Sequence, residues 1–142
     1  MQIMTVEECR SFLLARQRTA KVATVRADSR PHIAPVWFVL DGDTLIFTTW
    51  HASVKAINLR RDPRISICVD DETPPFAFVQ LEGHAELLDS PDELRHWATQ
   101  IAGRYMGAEQ AETYGQRNAV AGELLVRVSV TKLMGQKDVA GW

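Results

Sequence analysis

Cysteine, histidine and long apolar runs are scarce in this sequence, and each scarcity removes a class of function. Cys9 and Cys68 are the only two cysteines. They lie far apart, with no C-x-x-C spacing and no framework for disulfides, so a reducing, cytoplasmic setting is expected. Four histidines occur without H-x-x-x-H spacing, and no metal site is expected. No apolar stretch approaches the roughly 20 residues that a membrane span requires. Neither sign of charge dominates: 16 basic residues face 18 acidic ones, for a net charge of −2. A nucleic-acid binder would carry a marked basic excess. The opening run M-Q-I-M-T-V-E-E-C-R has no basic n-region and two early acids, unlike a secretory signal. What remains is ordinary globular usage, 46% hydrophobic and 24% charged over 142 residues. That length suits one domain, residues 1–142, with a core of its own.

The most informative stretch is T-T-W-H-A-S-V-K-A-I-N-L-R-R-D-P-R, residues 48–64. Thr44–Thr49 reads as a strand: β-branched and aromatic residues follow the turn dipeptide Asp41-Gly42. Ser53 is a good N-cap, and V-K-A-I-N-L-R-R is helical until Pro63 forbids continuation. A strand that passes through a short loop into a helix start leaves several N–H groups unpaired and aimed one way. The Ser53 hydroxyl and the Lys55 ammonium join them, which makes a place for an anion. A solvated helix lysine on an ordinary strand–loop–helix unit is the competing reading.

Elsewhere the chain alternates short strands with small helices. Thr5 and Glu8 form a capping box for a helix reaching about Arg16. Lys21–Arg26 alternates as a strand, Ala27–Pro31 turns, and His32–Leu40 is a second strand interrupted by Pro35. Proline there marks an edge, a bulge or backbone that faces a ligand. Arg64–Val69 is a fourth strand and Phe76–Leu88 a long fifth, with Gly83 marking a bulge or a bend at a barrel corner. Ser90-Pro91-Asp92-Glu93 opens a helix with an expected second capping box, and its stripe of Leu94, Trp97, Ala98, Ile101 and Tyr105 faces a core. A helical piece over about Ala108–Tyr114 follows. Leu124–Thr131 is the sixth strand, and residues 132–142 form a tail. The expected fold is mainly β, a six-stranded antiparallel Greek-key barrel with short flanking helices.

The segments T-V-R-A-D-S-R-P-H-I-A-P-V-W-F, F-T-T-W-H-A-S-V-K-A-I-N-L-R-R-D-P-R and F-V-Q-L-E-G-H-A-E-L carry a resemblance over essentially the whole chain. The sequence resembles the split-barrel flavoproteins related to pyridoxamine 5′-phosphate oxidase, and most closely the branch that uses the deazaflavin coenzyme F420. The resemblance implies an FMN-binding type of split barrel. It also implies a homodimer with two equivalent sites at the subunit interface, and a cofactor lying along the second and third strands. Ser53 and Lys55 match the phosphate-binding S-x-K. Thr48 and Thr49 match the pair that contacts the ribityl-phosphate region, while Pro35, Val36 and Trp37 stand where backbone faces the ring system.

Departures from the oxidase pattern favour F420 over FMN, the alternative cofactor. Ile33 and Phe38 stand near the places of an Arg and a Lys that hold the FMN phosphate. Val54 replaces an Arg, and Phe78 lies near the place of a Gln. Each lost charged hydrogen bond removes about 1.5–3 kcal/mol.

Three further residues join the candidate cofactor site. Trp50 on the loop rim either stacks on a ring or packs. Arg60, with Arg61, either reaches a polyanionic tail, braces Asp62 or stays solvated. Trp142, costly to leave bare at the chain end, finds its place against a partner subunit. No catalytic acid–base pair presents itself, as expected when the cofactor performs the chemistry. The function implied is hydride transfer from reduced F420 to a conjugated organic acceptor, with an FMN-dependent enzyme or a non-catalytic cofactor-binding protein as alternatives.

Overall fold

The computed structural model describes residues 1–141; Trp142 lies outside the described residues. A short strand β1 (Gln2–Ile3) leads into helix α1 (Val6–Ala15). The expected capping box is present: the Glu8 N–H donates to Thr5 Oγ1 and the Thr5 N–H to Glu8 Oε2, both at 3.1 Å. Cys9 and Leu13, one turn apart, are buried from that helix. Strand β2 (Ala20–Val25) follows, with every second residue buried.

The second strand expected over residues 32–40 is two strands, β3 (Pro31–Val36) and β4 (Val39–Asp41). The ladder breaks at Trp37 and Phe38 because Phe38 turns its backbone to other partners. Its N–H donates to the Tyr105 hydroxyl at 3.3 Å, and its carbonyl accepts from Arg104 Nη1 at 2.9 Å. The Phe38 ring is fully buried beneath the Arg104 guanidinium. Pro35 causes no break. It lies on β3, which pairs only with β2, so its missing N–H costs no ladder bond on the open side.

Strand β5 (Thr44–Trp50), helix α2 (Val54–Arg61), β6 (Arg64–Asp71) and β7 (Ala77–Leu88) come next. Helix α3 (Pro91–Met106), a single 3-10 turn, α4 (Ala111–Asn118) and β8 (Glu123–Lys137) complete the chain. The capping box expected at Ser90 does not form. The Ser90 side chain makes no cap bond, and proline in the first turn with Asp92 and Glu93 behind it starts α3 instead.

The tail expected after Thr131 is the second half of β8. Its pairing with β7 runs from Leu88↔Leu125 to Phe78↔Gln136, with a bulge at Glu82/Gly83. Lys132 opposes Glu82 and Val130 opposes Gly83, so Thr131 is the extra residue. That insertion reverses the alternation: Val126 and Val128 face inward before it, Leu133 and Gly135 after it. A pattern with a parity slip reads from sequence as the end of a strand.

All eight strands join one antiparallel sheet, against six expected, in the path β3–β2–β6–β7–β8–β5–β4 with β1 added beside β8. Laid flat, that path would be roughly 29 Å wide at about 4.8 Å per strand. Yet its two ends, β3 and β4, are joined by Trp37 and Phe38 alone, a link reaching about 10 Å. The sheet must therefore curl until its ends meet, which makes it a split barrel. The interior holds Val22, Phe38, Leu45, Phe47, Ile67, Val69, Val79, Val126 and Val128, with α1 and α2 contributing Leu13 and Leu59. On the opposite face of β5, Ile46 packs with Leu125 and with Leu94 and Trp97 of α3. Three consecutive buried residues, 45–47, record this cover on both faces. No helix is long and apolar enough to cross a membrane among the described residues.

Candidate functional site

Where β3 ends, β5 runs into α2, and α3 crosses β5, the surface opens into a cleft of about 340 Å³. Pro35, Val36, Trp37, Thr48, Thr49, Trp50, Ser53 and Lys55 line it, together with Ala98, Ile101, Asn118 and Glu123. Eight of the ten residues singled out from the sequence are thus brought to one place. Trp142 lies outside the described residues, and Arg60 does not line the cleft. Its Nη1 donates to the His51 carbonyl at 2.9 Å, bracing the loop between β5 and α2; Asp62 is held by Arg64 instead.

The start of α2 is built by its own sequence. Ser53 Oγ accepts from the Ala56 N–H at 3.2 Å, and the Ser53 carbonyl accepts from the Ile57 N–H. Thr49 and Ser53 share a hydroxyl–hydroxyl hydrogen bond of 2.8 Å, which fixes the Ser53 rotamer from the strand beneath. Thr49 is only 4% exposed, so it positions Ser53 while Thr48 faces the cleft more openly. The Val54 and Lys55 amides, in the first turn, have no hydrogen-bond partner among the described residues. The Lys55 ammonium likewise takes part in none of their ion pairs. Two free amides, a hydroxyl and a cation at a helix N-terminus fit a phosphate group. The base of α2 is tied to the sheet: Asn58, buried, donates from Nδ2 to Thr24 Oγ1 of β2 at 3.0 Å.

The opposite wall is aromatic. Trp37 stacks on Tyr105 of α3, ring centroids 5.0 Å apart and planes within 2°. The Tyr105 hydroxyl donates to the Arg18 carbonyl at 2.7 Å while accepting from Phe38. Burial pushes its phenol pKa up, so it stays a neutral donor at physiological pH. Arg104 beside it donates to the carbonyls of Leu13, Arg16 and Phe38. One end of α3 therefore clamps the two-residue link that closes the barrel. Tyr105 was unassigned from sequence, since its spacing on α3 reads only as a core stripe.

Glu123, Asn118, Ala98 and Ile101 were also missed. Glu123 opens β8, and its register opposite Trp50 carries it into the cleft. Nothing in its neighbourhood in sequence marks it. Burial pushes its carboxyl pKa up, while the Thr48 side chain and the Lys55 charge pull it back. Among the described residues no group of three His, Cys, Asp or Glu side chains could hold a metal.

A family profile described as pyridoxamine 5′-phosphate oxidase matches residues 5–135. Among solved structures, a conserved hypothetical protein from Mycobacterium tuberculosis is 29% identical with a TM-score of 0.79, covering 92% of this chain and 82% of its own. An F420 reductase is 26% identical with a TM-score of 0.70, covering 87% of this chain and 94% of that one. A FAD-binding protein from Mesorhizobium loti shares the fold at 18% identity and a TM-score of 0.70, covering 94% and 93%. No curated protein matches the chain.

Proposed function

Because this chain belongs to the pyridoxamine 5′-phosphate oxidase family, we propose that it is an oxidoreductase that holds coenzyme F420 in this cleft and passes a hydride to a conjugated organic acceptor. The observation that carries the reading is the pairing, in one cleft, of the free first turn of α2 with the Trp37 wall. The Val54 and Lys55 amides and the Lys55 ammonium hold the phosphate. Ser53, fixed by Thr49, completes its seat, and Thr48 faces the ribityl-like chain. Trp37, kept upright by Tyr105, and the unpaired outer edge of β3 at Pro35 and Val36 orient the ring system.

When bound, the deazaflavin supplies the hydride; the chain's own part is to bind, orient and exclude water. Trp50, Val54 and Ile57 stand 47%, 45% and 50% exposed beside the cleft. An apolar rim of this kind is covered by a second copy of the chain in the homodimer we propose, with the cleft at the interface. The similarity to an F420 reductase supports the choice of cofactor. FMN is the second reading, favoured by the family as a whole. Against it, the side chains of Ile33, Val54 and Phe78 offer no polar group to its phosphate, and Phe38 is sealed in the core.

Titration of the purified chain with F420 and with FMN, followed by intrinsic tryptophan fluorescence, tests the reading. F420 is expected to bind more tightly than FMN, and the reduced form is expected to be reoxidised by at least one acceptor in a conjugated-carbonyl panel. Tighter binding of FMN would overturn the cofactor assignment. Binding of F420 with no turnover across the panel would leave a carrier in place of an enzyme. Sedimentation of a monomer at micromolar concentration would remove the shared interface.

A further inference from the structure

The cleft contains one cation and one anion. Of its lining residues only Lys55 and Glu123 carry ionisable side chains, an odd composition for a seat of phosphate. We propose that Glu123 is a specificity-determining residue, whose carboxylate, sharing the cleft with Lys55, selects a phosphate ester bearing one negative charge over one bearing two. The proposal rests on the F420 reading and deepens it. A phosphodiester such as that of F420 carries a single charge. The phosphomonoester of FMN carries between one and two at neutral pH, because its second proton leaves near pH 6.

The structure keeps that carboxylate where it is. The β5–β8 register sets Glu123 opposite Trp50. On one side the His51 N–H donates to the Gly122 carbonyl at 2.8 Å, and on the other the Glu123 N–H donates to the Val120 carbonyl at 3.0 Å. Gly122 has φ +93°, and a Cβ there would stand 2.6 Å from the Trp50 ring. The backbone at Glu123 is therefore pinned against the rim, with its side chain lining the cleft. Among the described residues no second cation lines the cleft. Arg60 is committed to the His51 carbonyl, and Arg61 to the Val25 carbonyl and Asn58 Oδ1. A singly charged phosphate meets a site of net charge zero with its donors intact. Each additional charge on the phosphate itself adds repulsion from Glu123 in a partly desolvated space.

The test compares equilibrium titrations of the full chain and its Glu123→Gln variant with riboflavin, F420 and FMN, at low and physiological salt. Riboflavin, which has no phosphate, is expected to bind within twofold of wild type. F420 is expected to tighten about threefold and FMN about tenfold, the gain growing with phosphate charge and shrinking in salt. A Glu123→Ala variant should show the same order. An equal gain for all three ligands would mean that Glu123 acts through the shape of the cleft, and no gain for FMN over riboflavin would mean that it does not read the phosphate; either overturns the proposal. Failure of wild type to bind F420 would sink the cofactor reading instead, while the comparison of FMN with riboflavin would still decide the role of Glu123.

Discussion

Replacing Lys55 with alanine is the most direct probe of the anion seat. A charge-assisted hydrogen bond from an ammonium to a phosphate contributes about 1.5–3 kcal/mol. Two features of the structure place Lys55 at the low end. The side chain is half-exposed, so water screens it, and Glu123 already offsets part of its charge. The Val54 amide and the backbone of residue 55 remain as donors after the substitution. The expected loss is therefore about 1.5 kcal/mol, or roughly tenfold in Kd. Folding should be unaffected, because the ammonium has no ion-pair partner among the described residues. Fluorescence titration with F420 in low and high salt, alongside a thermal melt, reads both effects. Wild-type affinity should fall with salt more steeply than that of Lys55→Ala, and Lys55→Arg should retain most of the binding. An unchanged Kd at low salt would refute the seat. So would a loss of binding that arrives only with a Tm several degrees lower, since the effect would then be on folding.

Three further substitutions separate the scaffold from the site. Tyr105→Phe removes the acceptor of the Phe38 N–H and the donor to the Arg18 carbonyl. It should cost about 1–3 kcal/mol and lower Tm by roughly 3 °C per kcal/mol, leaving the stack on Trp37 in place; an unchanged melt would contradict the clamp. Gly83→Ala would drive a Cβ into the Ser129 carbonyl oxygen and to 3.0 Å from the Val128 side chain. Because backbone must shift to admit it, a loss of about 1–3 kcal/mol is expected by chemical denaturation, and a neutral result would place the bulge elsewhere. Glu123 has a raised carboxyl pKa in the folded chain, chiefly through burial. The folded state then favours the protonated form, so the contribution to stability is full at acid pH and is lost as pH rises through the folded pKa. Glu123→Gln should accordingly melt higher than wild type at neutral pH. That difference should close as pH is lowered through the carboxylate range, and a constant one would contradict the burial effect.

The stretch 44–64 was legible because its signals are local. A β-branched run, a serine cap and a proline stop each act within a few residues, and strand β5, the Ser53 cap and α2 follow them closely. The same holds for the Thr5–Glu8 capping box. Residues 32–40 were misread as one strand because the groups that break it, Tyr105 and Arg104, lie more than sixty residues away. The second half of β8 was hidden by a bulge whose partner is Gly83, a contact with β7 that the sequence of β8 cannot display.

The site divides in the same way. Ser53 and Lys55 are neighbours on one turn, and their donor chemistry follows from the cap alone. Glu123 enters only through the β5–β8 register, and Tyr105 only because α3 crosses the sheet to reach the link between β3 and β4. By itself, then, the order of residues determined the short elements, their caps and the donors at the start of α2, because hydrogen bonds between near neighbours make those choices. Closure of the sheet, the aromatic wall and the carboxylate beside Lys55 were decided by the tertiary structure. They depend on which strand lies against which, and burial of side chains distant in sequence settles that pairing.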